Sequence, residues 1–265
     1  TNLGIMGKQR WMAPEIVMGK NDPDKNSDRF SLAVVLFRLL FINHPLEGRY
    51  STPPCMTKEA EKKYYGSVPI FVYDPTTSEN RPIPGTDHNL KLFWNVYPDY
   101  VKEAFIRAFS HDVMMKQKPR ILEKEWMDIF IRLRTEIGCC PYCGQETFYT
   151  FKGNADICCM ECGKKIPVTN ALQIKNHILP IFPSLKISLW TVDSSLEDIR
   201  TQVAEVVRNP KEPQLLGFRN LSECTWVVNL PDGLQRPLPP KQVVPVRVGF
   251  EIHFLGGTND SGIIK

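Results

Sequence analysis

Apolar side chains occupy nearly every position from Phe30 to Ile42, and only Ser31 and Arg38 interrupt them. A helix with apolar side chains on all its faces is normally buried inside a domain. We therefore predict a central buried helix that begins at Ser27, a good N-cap residue, and ends at Asn43-His44-Pro45.

Two more stretches, Tyr100–Phe109 and Leu122–Ile137, carry apolar residues every three or four positions. This spacing predicts two amphipathic helices, each with one buried face. Residues 50–98 lie between the first helix and these two, and they contain turn-forming pairs such as Asp74-Pro75 and Pro84-Gly85. These pairs indicate one long loop stretch.

From residue 168 onward, short apolar runs alternate with Pro, Gly, Asn and Asp. Several short strands at this spacing are typical of a β-sandwich. The fold class is therefore expected to be multidomain α+β: a helical region at 1–138, a small cysteine-rich domain at 139–167 and an all-β sandwich at 168–265. The predicted strands are Lys186–Trp190, Gln214–Phe218, Thr225–Leu230, Gln242–Val248 and Glu251–Leu255.

Composition excludes some classes of protein. Among the 265 residues, 42% are hydrophobic and 23% charged, as in globular proteins and unlike disordered ones. The net charge of +4 is too small to indicate a nucleic-acid-binding protein, and no apolar run approaches the ~20 residues that span a bilayer. We expect neither nucleic acid nor a membrane as a partner. The chain opens with Thr and without a signal-peptide pattern, so we expect it to be a piece of a longer protein.

Six of the eight cysteines fall within residues 139–167. Four of them form two Cys-x-x-Cys pairs, each followed by glycine, with 15 residues between the inner cysteines. Two residues between ligands let one tight turn present both thiolates to one ion, and two such pairs suit a tetrahedral metal. We predict a structural Zn²⁺, because four ligands leave no open position for catalysis. The predicted ligands are Cys140, Cys143, Cys159 and Cys162.

Cys139 and Cys158 directly precede the two pairs and are competing ligands, and a redox or disulfide role is the other alternative. Close pairs without a signal peptide favour a reducing compartment, which places the protein in the cytoplasm. The pattern is similar to a zinc ribbon, with an expected hairpin formed by residues 148–151 and 155–158. Lys152, Lys164 and Lys165 are expected to offset the negative charge of the site. The five histidines are scattered and are predicted to be surface or capping residues.

The segment Arg10-Trp11-Met12-Ala13-Pro14-Glu15 resembles the end of a protein-kinase activation segment, which closes on Ala-Pro-Glu. Two later segments agree in order and spacing. Residues 27–33 resemble the start of the central helix of the kinase C-lobe, and Lys118-Pro119-Arg120 before Glu125-Trp126 resembles the Arg-Pro…Trp region near the end of the domain. Residues 64–82 resemble an insert of a bacterial kinase subgroup. The resemblance covers residues 1 to about 137.

The resemblance implies a partial kinase C-lobe in which the motif glutamate pairs with the late arginine, here Glu15 and Arg120. It assigns to Asp28 the contact with the catalytic-loop backbone. The structural motif then comprises Ala13, Pro14, Glu15, Asp28 and Arg120. The substrate-docking segment comprises Gly7, Lys8, Arg10 and Trp11.

No Gly-rich nucleotide loop, strand lysine, His-Arg-Asp or Asp-Phe-Gly motif occurs in the sequence. We therefore expect this chain alone to bind no ATP and to transfer no phosphate. ATP and Mg²⁺ belong to the intact parent, which the resemblance identifies as a kinase that phosphorylates protein Ser/Thr or Tyr in signalling. The expected partner is a protein substrate or a regulatory protein. The rival hypothesis is a non-catalytic interaction or scaffold protein.

Gly217-Phe218-Arg219-Asn220-Leu221-Ser222, Trp226, Asp232-Gly233 and residues 248–254 resemble the second half of a forkhead-associated (FHA) domain. That family binds phosphothreonine through Gly-Arg and Ser-x-x-His, and neither motif is clear here. Arg219 and Ser222 are the local candidates for binding a phosphopeptide. The alternative is that both are turn residues.

Overall fold

A computed structural model describes residues 8–53, 55–151, 156–256 and 260–265. The chain divides into two compact units, Thr1–Trp126 and Met127–Lys265. The first is helical and the second mainly β, in agreement with a multidomain α+β fold. Within the described part of the chain, no helix combines the length and the apolar character needed to cross a membrane.

The first unit is built around one long helix, α2, which begins at Lys25 rather than at Ser27. Asp24 is the N-cap, because its side chain accepts a hydrogen bond from the Ser27 N–H. In return, the Ser27 hydroxyl oxygen accepts one from the Asp24 N–H. Ser27 therefore serves as the third residue of a capping box. The helices of this part are α1 Pro14–Val17, α2 Lys25–Phe41, α3 Lys58–Lys62, α4 His88–Val96, α5 Asp99–Ala108, α6 His111–Met114 and α7 Glu123–Thr135, which runs across the boundary between the units.

Helix α2 is buried on one side only. Phe37 and Phe41 are fully buried, and the Phe37 ring packs edge-on against Phe105 with 5.3 Å between ring centroids. The opposite stripe, Val35, Leu39 and Ile42, is exposed, so the prediction of a helix buried on all sides was wrong for these positions. Other fully buried aromatic residues of this core are Phe30, Phe71 and Phe109.

Residues 50–98 are more ordered than their turn signals indicate, since they contain α3, a π-helical turn at Lys63–Ser67 and α4. Asn80, which is 1% exposed, joins the irregular parts of this stretch. Its amide nitrogen donates to the carbonyls of Leu46 and Ile70 at 3.0 and 2.6 Å, and its oxygen accepts from the Tyr50 N–H at 3.1 Å. The Asn80 side chain thus satisfies backbone groups that have no partner in a helix or sheet.

The described residues of the second unit form two larger antiparallel sheets and two short hairpins. A six-stranded sheet has the order β11-β10-β13-β14-β5-β6, and a four-stranded sheet has the order β12-β9-β8-β7. The hairpins are β1-β2 and β3-β4. The strands are β1 Ile137–Cys139, β2 Glu146–Phe148, β3 Ile157–Cys158, β4 Lys165–Ile166, β5 Ala171–Ile174, β6 His177–Pro180, β7 Lys186–Ser188, β8 Gln202–Arg208, β9 Leu216–Asn220, β10 Trp226–Asn229, β11 Gln235–Leu238, β12 Val243–Pro245, β13 Glu251–His253 and β14 Ser261–Ile264.

All five predicted strands have a counterpart, with ends shifted by up to three residues. The predicted strand Lys186–Trp190 ends at Ser188. Its last two residues instead begin a short helix, α8 Leu189–Val192, which the Ser188 hydroxyl caps. Five further strands were missed: β5, β6, β8, β11 and β14. Four of them, β5, β6, β8 and β14, contribute fully buried residues to the core: Leu172, Leu179, Ala204 and Ile264.

In its described residues, the cysteine-rich region shares a buried core with the rest of the second unit. Tyr149, Ile157 and Ile166 belong to the same buried cluster as the sandwich residues Phe218 and Trp226. The Tyr149 ring stacks on Phe182 with 4.0 Å between centroids. The two hairpins therefore share the buried core of the two larger sheets within one unit.

Candidate functional site: a four-cysteine centre and an ion-paired helical segment

The two Cys-x-x-Cys segments form matching turns. The Gly144 N–H donates to the Cys140 carbonyl at 2.9 Å, and the Gly163 N–H donates to the Cys159 carbonyl at 3.0 Å. Both glycines have positive φ, 75° and 68°, which a residue with a side chain rarely adopts. Each turn thereby returns the backbone beneath its pair of sulfurs and closes a short hairpin, β1-β2 or β3-β4.

The four predicted ligands lie together, as the spacing indicated. The Sγ atoms of Cys140, Cys143, Cys159 and Cys162 all lie within 4.8 Å of one another. Across the two turns, Cys140 Sγ is 3.8 Å from Cys162 Sγ, and Cys143 Sγ is 3.6 Å from Cys159 Sγ. A regular tetrahedron with metal–sulfur bonds of ~2.3 Å has edges of ~3.8 Å. The four sulfurs therefore have the separation that a tetrahedral metal ion requires.

Backbone N–H groups point at the sulfurs, which favours the thiolate form. The Tyr142 N–H donates to Cys140 Sγ and the Cys162 N–H donates to Cys159 Sγ, both at 3.5 Å. The bond from Cys162 is the largest cause that lowers the pKa of Cys159 to about 7. The Gln145 N–H lowers the pKa of Cys143, but desolvation and the three other sulfurs together raise it to about 12. The pKa values of Cys143 and Cys159 shift in opposite directions because the close sulfurs share a proton. A bound metal ion would displace that proton.

The competing cysteines lie outside the cluster. Cys139 is exposed on β1 opposite Glu146, and the exposed Cys158 thiol donates to the Asp156 carbonyl at 3.7 Å. All eight cysteines are free thiols, so the pairs form no disulfide.

The surroundings of the centre differ from prediction in one respect. Residues 148–151 were expected to pair with 155–158, but the described strands pair within each turn instead, β1 with β2 and β3 with β4. Lys164 Nζ lies 5.3 Å from the centre of the Tyr142 ring, and Lys165 forms an ion pair with Asp156 at 2.6 Å. Lys152 lies outside the described residues.

In the first unit, Glu15 and Arg120 form the expected pair across 105 positions of sequence. Arg120 Nη1 and Nη2 donate to Glu15 Oε1 and Oε2 at 2.9 and 2.8 Å, and the side chains are only 3% and 7% exposed respectively. Arg120 also donates to the carbonyls of Asn26 and Met114. The pair thus joins α1, the start of α2 and the segment that precedes α7.

The residues around this pair occupy different environments. Ala13 is 1% exposed and Pro14 opens α1, where its missing N–H leaves no hydrogen bond unmade. Asp28 lies in the first turn of α2 and is exposed, so its carboxylate is accessible to another group.

The predicted docking segment is anchored at Arg10. Arg10 forms an ion pair with Glu47, and the Tyr65 hydroxyl donates to the same carboxylate at 2.8 Å. Burial, followed by Glu47, raises the pKa of Tyr65. A cleft of about 750 Å³ lies beside these side chains and is also lined by the exposed Lys8. Gly7 lies outside the described residues.

His44 was predicted to be a surface or capping residue, but it is buried, with 3% exposure, and it contacts the docking segment. Its Nε2–H donates to the Arg10 carbonyl at 2.6 Å, while its Nδ1 accepts from the Leu46 N–H at 3.1 Å. These two bonds require the neutral ring, and burial lowers the pKa of His44 to about 4. The Trp11 ring packs edge-on against His44, and Arg38 lies over the Trp11 ring.

In the sandwich, the two phosphopeptide candidates differ in accessibility. Arg219 is 44% exposed and pairs with Glu205 at 3.5 Å. The Ser222 hydroxyl donates to Asn220 Oδ1 at 2.7 Å and accepts from Trp226 Nε1 at 3.0 Å, so it is engaged within a turn. Asn220 accepts both the N–H and the hydroxyl of Ser222 in that turn. It is a buried residue that the sequence did not single out as a site residue.

No protein-family model, curated protein sequence or solved structure matches this chain.

Proposed function

We propose that residues 1–138 are a partial protein-kinase C-lobe, from the end of the activation segment onward, in a chain that does not itself bind nucleotide. The observation that carries the proposal is the buried, bidentate Glu15–Arg120 pair. The Ala-Pro-Glu resemblance requires this pair, whereas a chance match to three residues would not place a complementary charge 105 residues away. The cleft beside Arg10 and Glu47 supplies a surface on which a protein substrate could dock.

The kinase assignment is tested by the coding sequence immediately upstream of Thr1 and by a phosphotransfer assay on the protein that it encodes. We expect His-Arg-Asp and Asp-Phe-Gly within ~40 residues before Thr1. Phosphotransfer should be present in that protein and lost in its Glu15→Gln variant. The 265-residue chain alone should show no heat of ATP binding by calorimetry, because it lacks every phosphate- and Mg²⁺-binding motif.

The same experiment decides for or against the scaffold hypothesis. The buried core that the four-cysteine turns share with the larger β-sheets supports that hypothesis. If the upstream sequence lacks both motifs, the helical unit is a docking module without catalytic activity. Micromolar ATP binding by this chain would refute both forms of the proposal.

We propose Zn²⁺ as the ion of the four-cysteine centre. Four thiolates at tetrahedral separation are the usual ligand set of structural zinc, and close Cys-x-x-Cys pairs suit a reducing compartment such as the cytoplasm. Elemental analysis should give one zinc per chain. Cys140→Ser and Cys162→Ser should lose most of it. The matched controls Cys139→Ser and Cys158→Ser should keep it, and the reverse result would show that the ligand set is wrong.

We also propose that the β-region is an FHA-like interaction domain. Two antiparallel sheets with a common buried core support this assignment. Binding of a phosphothreonine peptide is less well supported, because Ser222 is engaged with Asn220 and Trp226. A peptide titration followed by fluorescence polarisation should show no preference for the phosphorylated form, and a preference that Arg219→Ala abolishes would establish the phosphopeptide site.

A further inference from the structure

Helix α7, the β5-β6 hairpin and α8 enclose a cavity of about 110 Å³ within the second unit. Lys175 is exposed at the turn of the hairpin, so that the cavity meets solvent there. No step of the proposed function uses this cavity. The lining includes Asp128, Ile131, Arg132, Lys175, His177 and Trp190.

One part of the lining is apolar and fixed in position. Ile131 and Leu179 are 7% and 1% exposed, and Trp190 is 7% exposed. The Trp190 Nε1–H donates to Asp128 Oδ1 at 2.6 Å, which fixes the plane of the indole ring against α7. A buried tryptophan with its N–H satisfied presents a rigid apolar wall.

The other part of the lining is cationic. Arg132 and Lys175 carry two positive charges, which Asp128 in the lining and Glu136 beside Arg132 balance. Arg132 Nε donates to Glu136 Oε1 at 2.8 Å. Glu136 does not line the cavity, so this bond fixes the guanidinium through a residue outside the lining. Glu136 is itself 1% exposed and accepts from the Thr150 hydroxyl at 2.6 Å, so the guanidinium is positioned by a buried network.

His177 reports the potential inside the cavity. Burial lowers the pKa of His177 first, the positive charges of Arg132 and Lys175 lower it further, and Asp128 opposes them. No charged side chain of α8 lines the cavity. Burial disfavours any charged form, whereas the effects of Arg132 and Lys175 show that both cations lie close enough to act on the imidazole.

We propose that this cavity binds a small organic monocarboxylate, with its carboxylate beside Arg132 and Lys175 and a compact apolar body against the Trp190 ring. Arginine pairs with carboxylates in a planar, often bidentate geometry. Because Asp128 and Glu136 already balance the two cations, the cavity accommodates a monoanion more easily than a phosphate dianion. A cavity that holds benzene measures ~150 Å³, so 110 Å³ suits a body of about four carbon atoms.

The test uses isobutyrate as the probe, isobutyramide as its neutral isostere and inorganic phosphate as the competing anion. The full chain is titrated while the ring signals of His177 and the Nε1–H signal of Trp190 are followed by NMR. Isobutyrate should shift both signals and saturate with a dissociation constant of about 1 mM, as expected of so small a ligand. At saturation the pKa of His177 should rise, because the bound anion offsets the neighbouring cations.

Lys175→Glu is the informative variant, because Lys175 is exposed and its removal leaves no buried charge without a partner. It should weaken isobutyrate binding about tenfold. Lys241→Glu is the matched control, since Lys241 is also exposed and shares the positive φ of Lys175, 68° against 50°. It should bind within about twofold of the unaltered chain, because Lys241 does not line the cavity.

Three results would overturn the proposal. Isobutyramide that binds as tightly as isobutyrate would show that charge plays no part. Phosphate that binds more tightly would show that the cavity selects another anion. Equal binding by Lys175→Glu and Lys241→Glu would place the ligand elsewhere.

Discussion

Loss of either partner of the Glu15–Arg120 pair should destabilise the helical unit strongly. The two side chains are 7% and 3% exposed and share two hydrogen bonds. At an effective dielectric constant of about 20, charges ~4 Å apart attract by ~4 kcal/mol. Removal of one partner of a buried pair costs ~3–5 kcal/mol, because the other charge stays buried without its counter-charge.

The two single changes should differ in size. After Glu15→Gln, Arg120 retains the carbonyls of Asn26 and Met114 at 2.9 and 3.4 Å, and an amide oxygen can replace one carboxylate contact. We expect a loss of about 2–3 kcal/mol. After Arg120→Met, the buried carboxylate is left with Lys116, whose Nζ is 3.9 Å away and which is 33% exposed. We expect about 4–5 kcal/mol for this change.

The assay is urea unfolding of chain labelled with fluorotryptophan, read by fluorine NMR on Trp94 and Trp126, which lie in the helical unit. Signals from one unit avoid the assumption that the whole chain unfolds in a single step. The double variant should lose at least 2 kcal/mol less than the sum of the singles. Glu125→Gln is the control, because its pair with Arg107 is 40–53% exposed and should contribute at most ~1 kcal/mol. Additive single changes, or losses no larger than the control's, would refute the reasoning.

Two further predictions concern buried polar side chains. Burial lowers the pKa of His44 to about 4 in the folded chain. The unfolded chain therefore protonates His44 below about pH 6.5, whereas the folded chain protonates it only near pH 4. Stability is then fully present above pH 6.5 and falls by up to ~1.4 kcal/mol per pH unit as the pH drops towards 4. Urea midpoints between pH 7 and 4.5 should therefore fall less steeply for His44→Gln, and parallel slopes would contradict this cause. Asn220→Asp should cost about 3 kcal/mol or more, because the Asn220 amide donates to the carbonyls of Cys224 and Leu238 at 2.8 and 3.0 Å and a carboxylate would face them with oxygen. Asn209→Asp should change the urea midpoint little, because only the side-chain oxygen of Asn209 makes bonds there, and equal losses for the two variants would refute the assigned role.

Sequence reasoning succeeded where chemistry fixes a short spacing or a specific partner. A Cys-x-x-Cys turn presents two thiolates whatever surrounds it, so the four-cysteine cluster followed from spacing alone. The partner of Glu15 followed from a resemblance, because nothing in the local sequence indicates a contact with Arg120, 105 residues away.

The failures have a common physical cause, since they concern residues whose role depends on tertiary contacts. Asn80 and Asn220 look like turn residues in sequence, but each is a buried side chain that satisfies several backbone groups. His44 looks like a capping residue beside proline, and its burial depends on Trp11 and Tyr65. The missed strands β8 and β14 include polar residues or glycine, and pairing with their neighbours stabilises them more than their own propensity does.

The last prediction concerns removal of the metal, and it follows from the packing of the two turns. Cys140 and Cys159 are each 2% exposed and belong to the core of the sandwich, but the hairpins behind them have strands of only two or three residues. Hairpins so short are not stable alone, and although their buried residues share the core of the larger sheets, we expect the order of the two turns to depend on bonds from the sulfurs to the proposed zinc ion. After chelation, we expect the N–H groups of Gly144 and Gly163 to lose their protection from hydrogen exchange. The N–H groups of β8, paired along the strand with β9, should keep theirs. Persistent protection of both glycines in metal-free chain would show that packing on the sandwich, rather than the ion, holds the turns.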